Sequence, residues 1–207
     1  MTDFNDKQIE ILQVAENLFA EQGFDGTSVR DIAKSANINI AMISYYFGSK
    51  EKLLEALILY RISDMRLQME NLYREELTPI EKIDRLIELY IKRIHQNKGM
   101  YQIIHFEISS GKRIINCDAF NEMKKNNLEV LKNIIKEGQD KNIFNKDVNV
   151  VLLPTTIMGT YFHFQMNKPF FKDILNLNTQ EDINNYVYNE LTIHIKQTIK
   201  ALLTYEK

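Results

Sequence analysis

Residues 23–53 read GFDGTSVRDIAKSANINIAMISYYFGSKEKL. Gly23 suits a helix C-terminus and Phe24-Asp25-Gly26 a turn. Ser28 followed by Asp31 has capping-box form, so a short helix should run from there to about Ala36. Asn37-Ile38 makes a tight turn, Asn39 can cap a third helix reaching about Tyr46, and Phe47-Gly48-Ser49 breaks it. Ser49 can then cap a helix beginning at Lys50. Two short helices around such a turn make a helix-turn-helix, a shape that presents its second helix to the DNA major groove. Val29, Ile32, Ala33, Ile38 and Ile43 can form the wedge between them, with Ala33 and Ala41 small at the crossing. Asn39, Ile40, Met42, Ser44 and Tyr45 then form a slim outer face able to touch bases, phosphates or a thymine methyl. Arg30 can bond to guanine or phosphate, and Lys50 at a helix start favours a phosphate.

Outward from this stretch the chain is expected to be all helical. A helix over 4–22 precedes it, carrying Ile11, Leu12, Ala15, Leu18 and Phe19 on one face. Longer helices are expected at about 50–76, 79–97, 100–110, 119–141, 148–168 and 181–204. Only seven Gly and three Pro occur in 207 residues, which argues against a sandwich, a barrel or a disordered tail and for long helices. Three of the Gly lie in the first 48 residues and every Pro lies after residue 78, so residues 1–50 are read as one domain and 51–207 as another. A lone Cys117 cannot form an internal disulfide, no signal peptide is evident and no apolar run would span a membrane. A cytoplasmic protein is expected.

The formal net charge is −2, which by itself argues against nucleic acid. Its distribution answers the objection: residues 1–26 carry −5, residues 27–53 carry +2 and the remainder +1. The acids fall on the supporting first helix. The contact segment is mildly positive, so binding should lean on hydroxyls, amides and helix ends, with a modest salt dependence.

At Gly23-Phe24, Thr27 to Ala33, Ala36 to Phe47 and Ser49 to Leu53 the sequence resembles the DNA-binding domain of tetracycline-repressor-type (TetR family) transcription regulators. The resemblance implies that Ser28 binds phosphate, that Arg30 reaches a base or phosphate, and that Asn39, Ile40, Ala41 and Met42 open the recognition helix. It implies that Lys50 holds a phosphate and that one of Tyr45 and Tyr46 lies near the backbone while the other packs inward. Ser44 departs from the pattern, since many members carry a phosphate-binding tyrosine there; Tyr45 is the candidate to take that contact.

The body offers no catalytic pattern. None of His95, His105, His163 and His194 has Glu three residues earlier, and no two lie four apart. No nucleophile elbow or phosphate loop occurs, and Glu190 with His194 reads as a surface pair. No enzyme, cofactor or metal is expected. The resemblance implies a homodimer through the last two long helices. Their broad stripes supply Val151, Thr155, Gly159 and Phe162 from the first, and Tyr186, Val187, Leu191, Ile195 and Ile199 from the second; packing within the monomer is the alternative. A pocket for an apolar or amphipathic small molecule would draw on Tyr90, Met100, Ile104, Phe106, Met123, Tyr161 and Phe164, with His105 and Cys117 adding polarity, though each serves equally well as core. The expectation is a ligand-responsive repressor on a double-stranded, palindromic operator. The alternatives are a regulator whose body binds a protein, a helical enzyme, and a structural helical protein.

Overall fold

The computed structural model describes residues 4–110 and 118–204. Every element among them is helical. The order is α1 (Asp6–Gly26), α2 (Val29–Ser35), α3 (Ile40–Phe47), α4 (Lys50–Arg74), α5 (Pro79–Gln96), α6 (Lys98–Ser110) and α7 (Asp118–Asp140). A 3-10 turn (Val150–Leu152), α8 (Leu153–Met166), α9 (Lys168–Ile174), α10 (Gln180–Asn185), a π turn (Tyr186–Leu191) and α11 (Thr192–Thr204) complete it. Two compact units divide the chain, residues 1–67 with 97–125, and residues 68–96 with 126–207. No helix among the described residues is long and apolar enough to cross a membrane.

The first unit is built on α1. Asn5 and Gln8 cap its start reciprocally, and Gly23 breaks its helical path at φ 75°, a conformation that side chains with a Cβ resist. Ile11, Leu12, Ala15 and Phe19 bury one face against Ile32, Ile43, Leu53 and Leu57. Met100, Ile103 and Ile104 of α6 join the same core. Gly99 lets α6 approach α1, where an added Cβ would stand 3.3 Å from that of Ala20. Across the core edge, Arg61 donates from Nε and Nη2 to Glu16 Oε2, at 2.8 and 2.6 Å.

The second unit is a longer-helix bundle. Ile83, Leu86, Ile87, Ile91 and Ile94 of α5, Leu153, Ile157, Tyr161 and Phe164 of α8, and Ile195, Ile199 and Leu203 of α11 are buried. The Phe144 ring fills the space a Cβ at Gly138 would need, which explains the glycine in the last turn of α7. Tyr161 Oη lies 3.0 Å from His95 Nδ1 and accepts from Gln165 Nε2, while His95 Nε2 meets Asn184 Oδ1 at 2.9 Å. Burial pushes the Tyr161 hydroxyl well above its ordinary pKa, which keeps it a protonated donor.

The structure corrects three expectations. The helix expected over 148–168 is a 3-10 turn followed by α8 alone, with Pro154 in the first turn of α8. A further helix, α9, follows with Pro169 in its first turn, where the missing N–H costs nothing. The stripe on the last helix faces inward. Val187, Leu191, Ile195 and Ile199 are buried within one chain, which corrects the expectation that they face a second copy. α11 has a separate exposed face, on which Ile193, His194, Gln197 and Ala201 lie. By contrast, Val151 of the 3-10 turn and Thr155 and Gly159 of α8 are exposed, and Phe162 of α8 is half-buried.

Candidate nucleic-acid interface

Local hydrogen bonds shape the segment read first. Asp31 N–H donates to Ser28 Oγ at 3.1 Å, and Ser28 N–H donates to Asp31 Oδ2 at 3.0 Å. The Ser28 hydroxyl also donates to Asp31, and this bond, followed by that of the Ser28 N–H, holds the Asp31 carboxyl below its ordinary pKa. A hydroxyl has one proton, so Ser28 can donate to a phosphate only by releasing Asp31. Asn37 makes the turn at φ 49°, and the Ile38 N–H returns to the Ala33 carbonyl at 3.0 Å. Asn39 Oδ1 then accepts from Ala41 N–H at 2.9 Å, starting α3. Gly48, at φ 83°, ends it, and Ser49 Oγ accepts from Lys52 N–H.

α3 has two unlike faces. Ile43 and Phe47 are buried against Ile32, Ala33, Phe19 and Phe24. Asn39, Ile40, Ala41, Ser44 and Tyr45 are exposed, and Met42 is half-buried. Ala41 thus lies on the outer face, not at the crossing with α2. Tyr45 is 83% exposed and Ile40 45%, a large apolar allowance for one eight-residue helix. The two tyrosines divide their work. The ring of Tyr46 packs at the core edge, between Tyr45 at 5.2 Å and Phe47 at 6.2 Å, and props Tyr45 outward. Of the two tyrosines, Tyr45 is the exposed one and Tyr46 the half-buried one.

Arg30 and Lys34 are exposed on α2. Lys50 is placed otherwise. Its Nζ donates to the carbonyls of Phe24 and Thr27, both at 2.8 Å, so two of its three N–H bonds are committed within the protein.

The pocket candidates do not gather in one unit. Met100, Ile104 and Met123 belong to the first core, while Tyr161 and Phe164 are buried in the second unit, to which Tyr90 also belongs. Phe106 is exposed. Cys117 and the side chain of His105 lie outside the described residues. Two open clefts of the second unit, of about 650 and 790 Å³, contain none of these residues. No group of three or more His, Cys, Asp or Glu among the described residues is placed to hold a metal.

Comparison with known proteins agrees with this geometry. Residues 11–57 match the model of the bacterial regulatory proteins of the tetR family, and residues 79–195 match a tetracyclin repressor-like C-terminal domain. The HTH-type transcriptional repressor KstR2 of Mycolicibacterium smegmatis is 28% identical over 154 residues, covering 73% of this chain and 74% of that protein. The probable HTH-type transcriptional regulator YttP of Bacillus subtilis is 55% identical over 49 residues, 24% of each chain. The transcriptional regulator FadR of Bacillus subtilis, solved in complex with stearoyl-CoA, superposes with a TM-score of 0.72 at 21% identity, over 96% of this chain and 99% of that one.

Proposed function

The chain belongs to the TetR family of bacterial helix-turn-helix transcription regulators, and from that premise we propose that it is a homodimeric repressor released from a palindromic operator by a small amphipathic molecule. Residues 1–50 bind DNA, and residues 51–207 dimerise and take the effector. The protein acts where the chromosome lies, in the cytoplasm.

The outer face of α3 carries the DNA part. It sets two polar side chains, Asn39 and Ser44, beside Ile40, Ala41 and Tyr45 on a helix capped at its start. Polar groups of this size read base edges, and the small apolar ones suit a thymine methyl. Arg30 supplies a groove-edge cation, Ser28, Met42 and Tyr46 complete the set, and Lys50 stands behind it at the start of α4.

A two-fold dimer would place two such helices one duplex turn apart, roughly 34–36 Å. The exposed side of α8 supports this arrangement. A Cβ at Gly159 would meet nothing within 4 Å, which leaves room for a second copy beside Val151, Thr155 and Phe162. On the last helix the half-buried Tyr186 and the exposed Ile193 take the role that the buried stripe cannot.

The effector assignment leans on relatives. KstR2 is named a repressor, and the FadR structure holds stearoyl-CoA, an amphipathic molecule. Of the expected contacts, Tyr90, Tyr161 and Phe164 of the second unit remain the proposed ones. Switching requires that the effector bind the two states with different affinity. A second reading, in which the body binds a protein, is favoured by the exposed Met166, Phe170 and Ile174.

Selection of bound sequences from random DNA tests the proposal. A palindromic motif with half-sites one turn apart is expected. Failure to enrich any sequence would remove the DNA-binding role, and an asymmetric motif would remove the dimer.

A further inference from the structure

The helix-turn-helix segment has two ends, the turn at residues 24–27 ahead of α2 and Lys50 at the start of α4. The structure joins them through one ammonium group. Lys50 Nζ reaches the Phe24 carbonyl across 26 residues of chain and the Thr27 carbonyl across 23, at 2.8 Å each. It also stands 4.2 Å from the centroid of the Phe24 ring. These acceptors belong to the turn that follows the break at Gly23. The Phe24 carbonyl also accepts from the Thr27 N–H at 3.3 Å, and the C-terminus of a helix is its negative pole, which favours a cation there.

The rest of the turn is equally committed. Thr27 is 1% exposed, and its one hydroxyl proton is shared between the carbonyls of Leu18 at 3.1 Å and Gly23 at 2.9 Å. Phe24 is buried, its ring 5.2 Å from that of Phe19. The turn is held by the core on one side and by Lys50 on the other.

We propose that Lys50 is a positioning residue for operator binding: its ammonium is the clasp that closes the helix-turn-helix, and it acts on DNA through that clasp rather than by neutralising a phosphate. The inference rests on the DNA-binding reading above. Two charge-assisted bonds and an aromatic face already satisfy the cation. Removing the clasp frees α2 and α3 to leave the turn at varying angles, and the cost of ordering them is then charged to binding.

A clasp and a phosphate contact differ in salt dependence. Each neutralised phosphate adds about 0.9 to the slope of log affinity against log salt. The test uses the full-length protein and a selected operator duplex, with binding measured between about 50 and 200 mM salt. Lys50→Met keeps the stem over Phe24 and removes the donors. Thr27→Val removes a hydroxyl that is too buried to touch DNA but holds the same turn. Arg30→Ala serves as the reference for a lost contact.

At a temperature where circular dichroism shows each variant fully helical, Lys50→Met and Thr27→Val are expected to lose affinity about tenfold, with the wild-type salt slope. A slope lowered by about 1.8 in Lys50→Met, one phosphate for each subunit of the dimer, would overturn the proposal, as would wild-type affinity in that variant once folded. If Lys50→Met does not fold, Lys50→Arg decides with Thr27→Val. Arginine serves a phosphate as well as lysine does, but its planar head does not reproduce a compact bond to two carbonyls. Full affinity in Lys50→Arg would overturn the clasp, and a loss at unchanged slope would support it. A wild-type protein that enriches no sequence would overturn the DNA reading, and this inference with it.

Discussion

α2 and α3 are 7 and 8 residues long, whereas α5 has 18. Both regions use the same N-terminal device: Ser28 with Asp31 opens α2, and Thr78 with Glu81 opens α5. Its weight differs. Helices as short as α2 and α3 do not persist on propensity, so their shape depends on caps and on the few bonds that hold their ends. Five buried Ile and Leu residues hold α5, and half-buried ion pairs, Asp84 with Lys200 and Glu88 with Lys196, run along its contact with α11. Directional hydrogen bonds therefore shape the reading head, and apolar burial shapes the body.

The largest test falls on the body. Ile195→Ala removes a fully buried side chain and should cost about 2–5 kcal/mol, read as a shift in denaturant midpoint. Ile193→Ala, two residues away and 49% exposed, should stay within about 0.5 kcal/mol. Equal costs would mean that the inner and outer faces of α11 have been assigned wrongly. If Ile193 lies at the proposed dimer contact, Ile193→Asp should shift the protein to monomer in sedimentation while leaving its helical signal intact.

The caps come next. Ser28→Ala should cost about 1 kcal/mol, and so should Thr78→Ala. Their consequences should part. Ser28→Ala should weaken operator binding measurably, because α2 carries the turn into α3. Thr78→Ala should leave binding at the wild-type level. Equal losses of DNA affinity would break the contrast between the two regions.

What could be read from residues alone follows the same division. Caps and glycines are local chemistry, so the caps at Ser28, Asn39 and Ser49 are legible in the sequence, and so are the breaks at Gly23 and Gly48. The exposed face of α3 followed from them, apart from Ala41. Burial in the body depends on neighbours distant in sequence. A stripe wide enough for two faces does not say which faces inward, so Val187, Leu191, Ile195 and Ile199 were placed outward although they are core. α9 went unread because Pro169 signals a helix start as well as a break. The engagement of Lys50 with two carbonyls more than twenty residues earlier had no local signal at all.

The smallest expected effect is acid sensitivity, and it compares the two regions with one kind of group. Asp31 is held below its ordinary value of 3.8 by bonds from the Ser28 hydroxyl and then the Ser28 N–H. Glu81 is held below 4.5 by Thr78 in the same way. Each carboxylate binds its proton less readily folded than unfolded. Its contribution is therefore complete above the ordinary value and is lost as pH falls through the lower folded one. Both groups are fully exposed, so solvent keeps the effect small. On titration from about pH 5 to about pH 2, amide hydrogen exchange should rise in α2 before it rises in α5. In α5 the buried isoleucines remain when the cap is protonated, whereas α2 has only Ile32 and Ala33 buried. Asp31→Asn should remove the acid step in α2 and leave that of α5 in place. Simultaneous loss of protection in both helices would show that burial, rather than capping, limits the stability of the reading head.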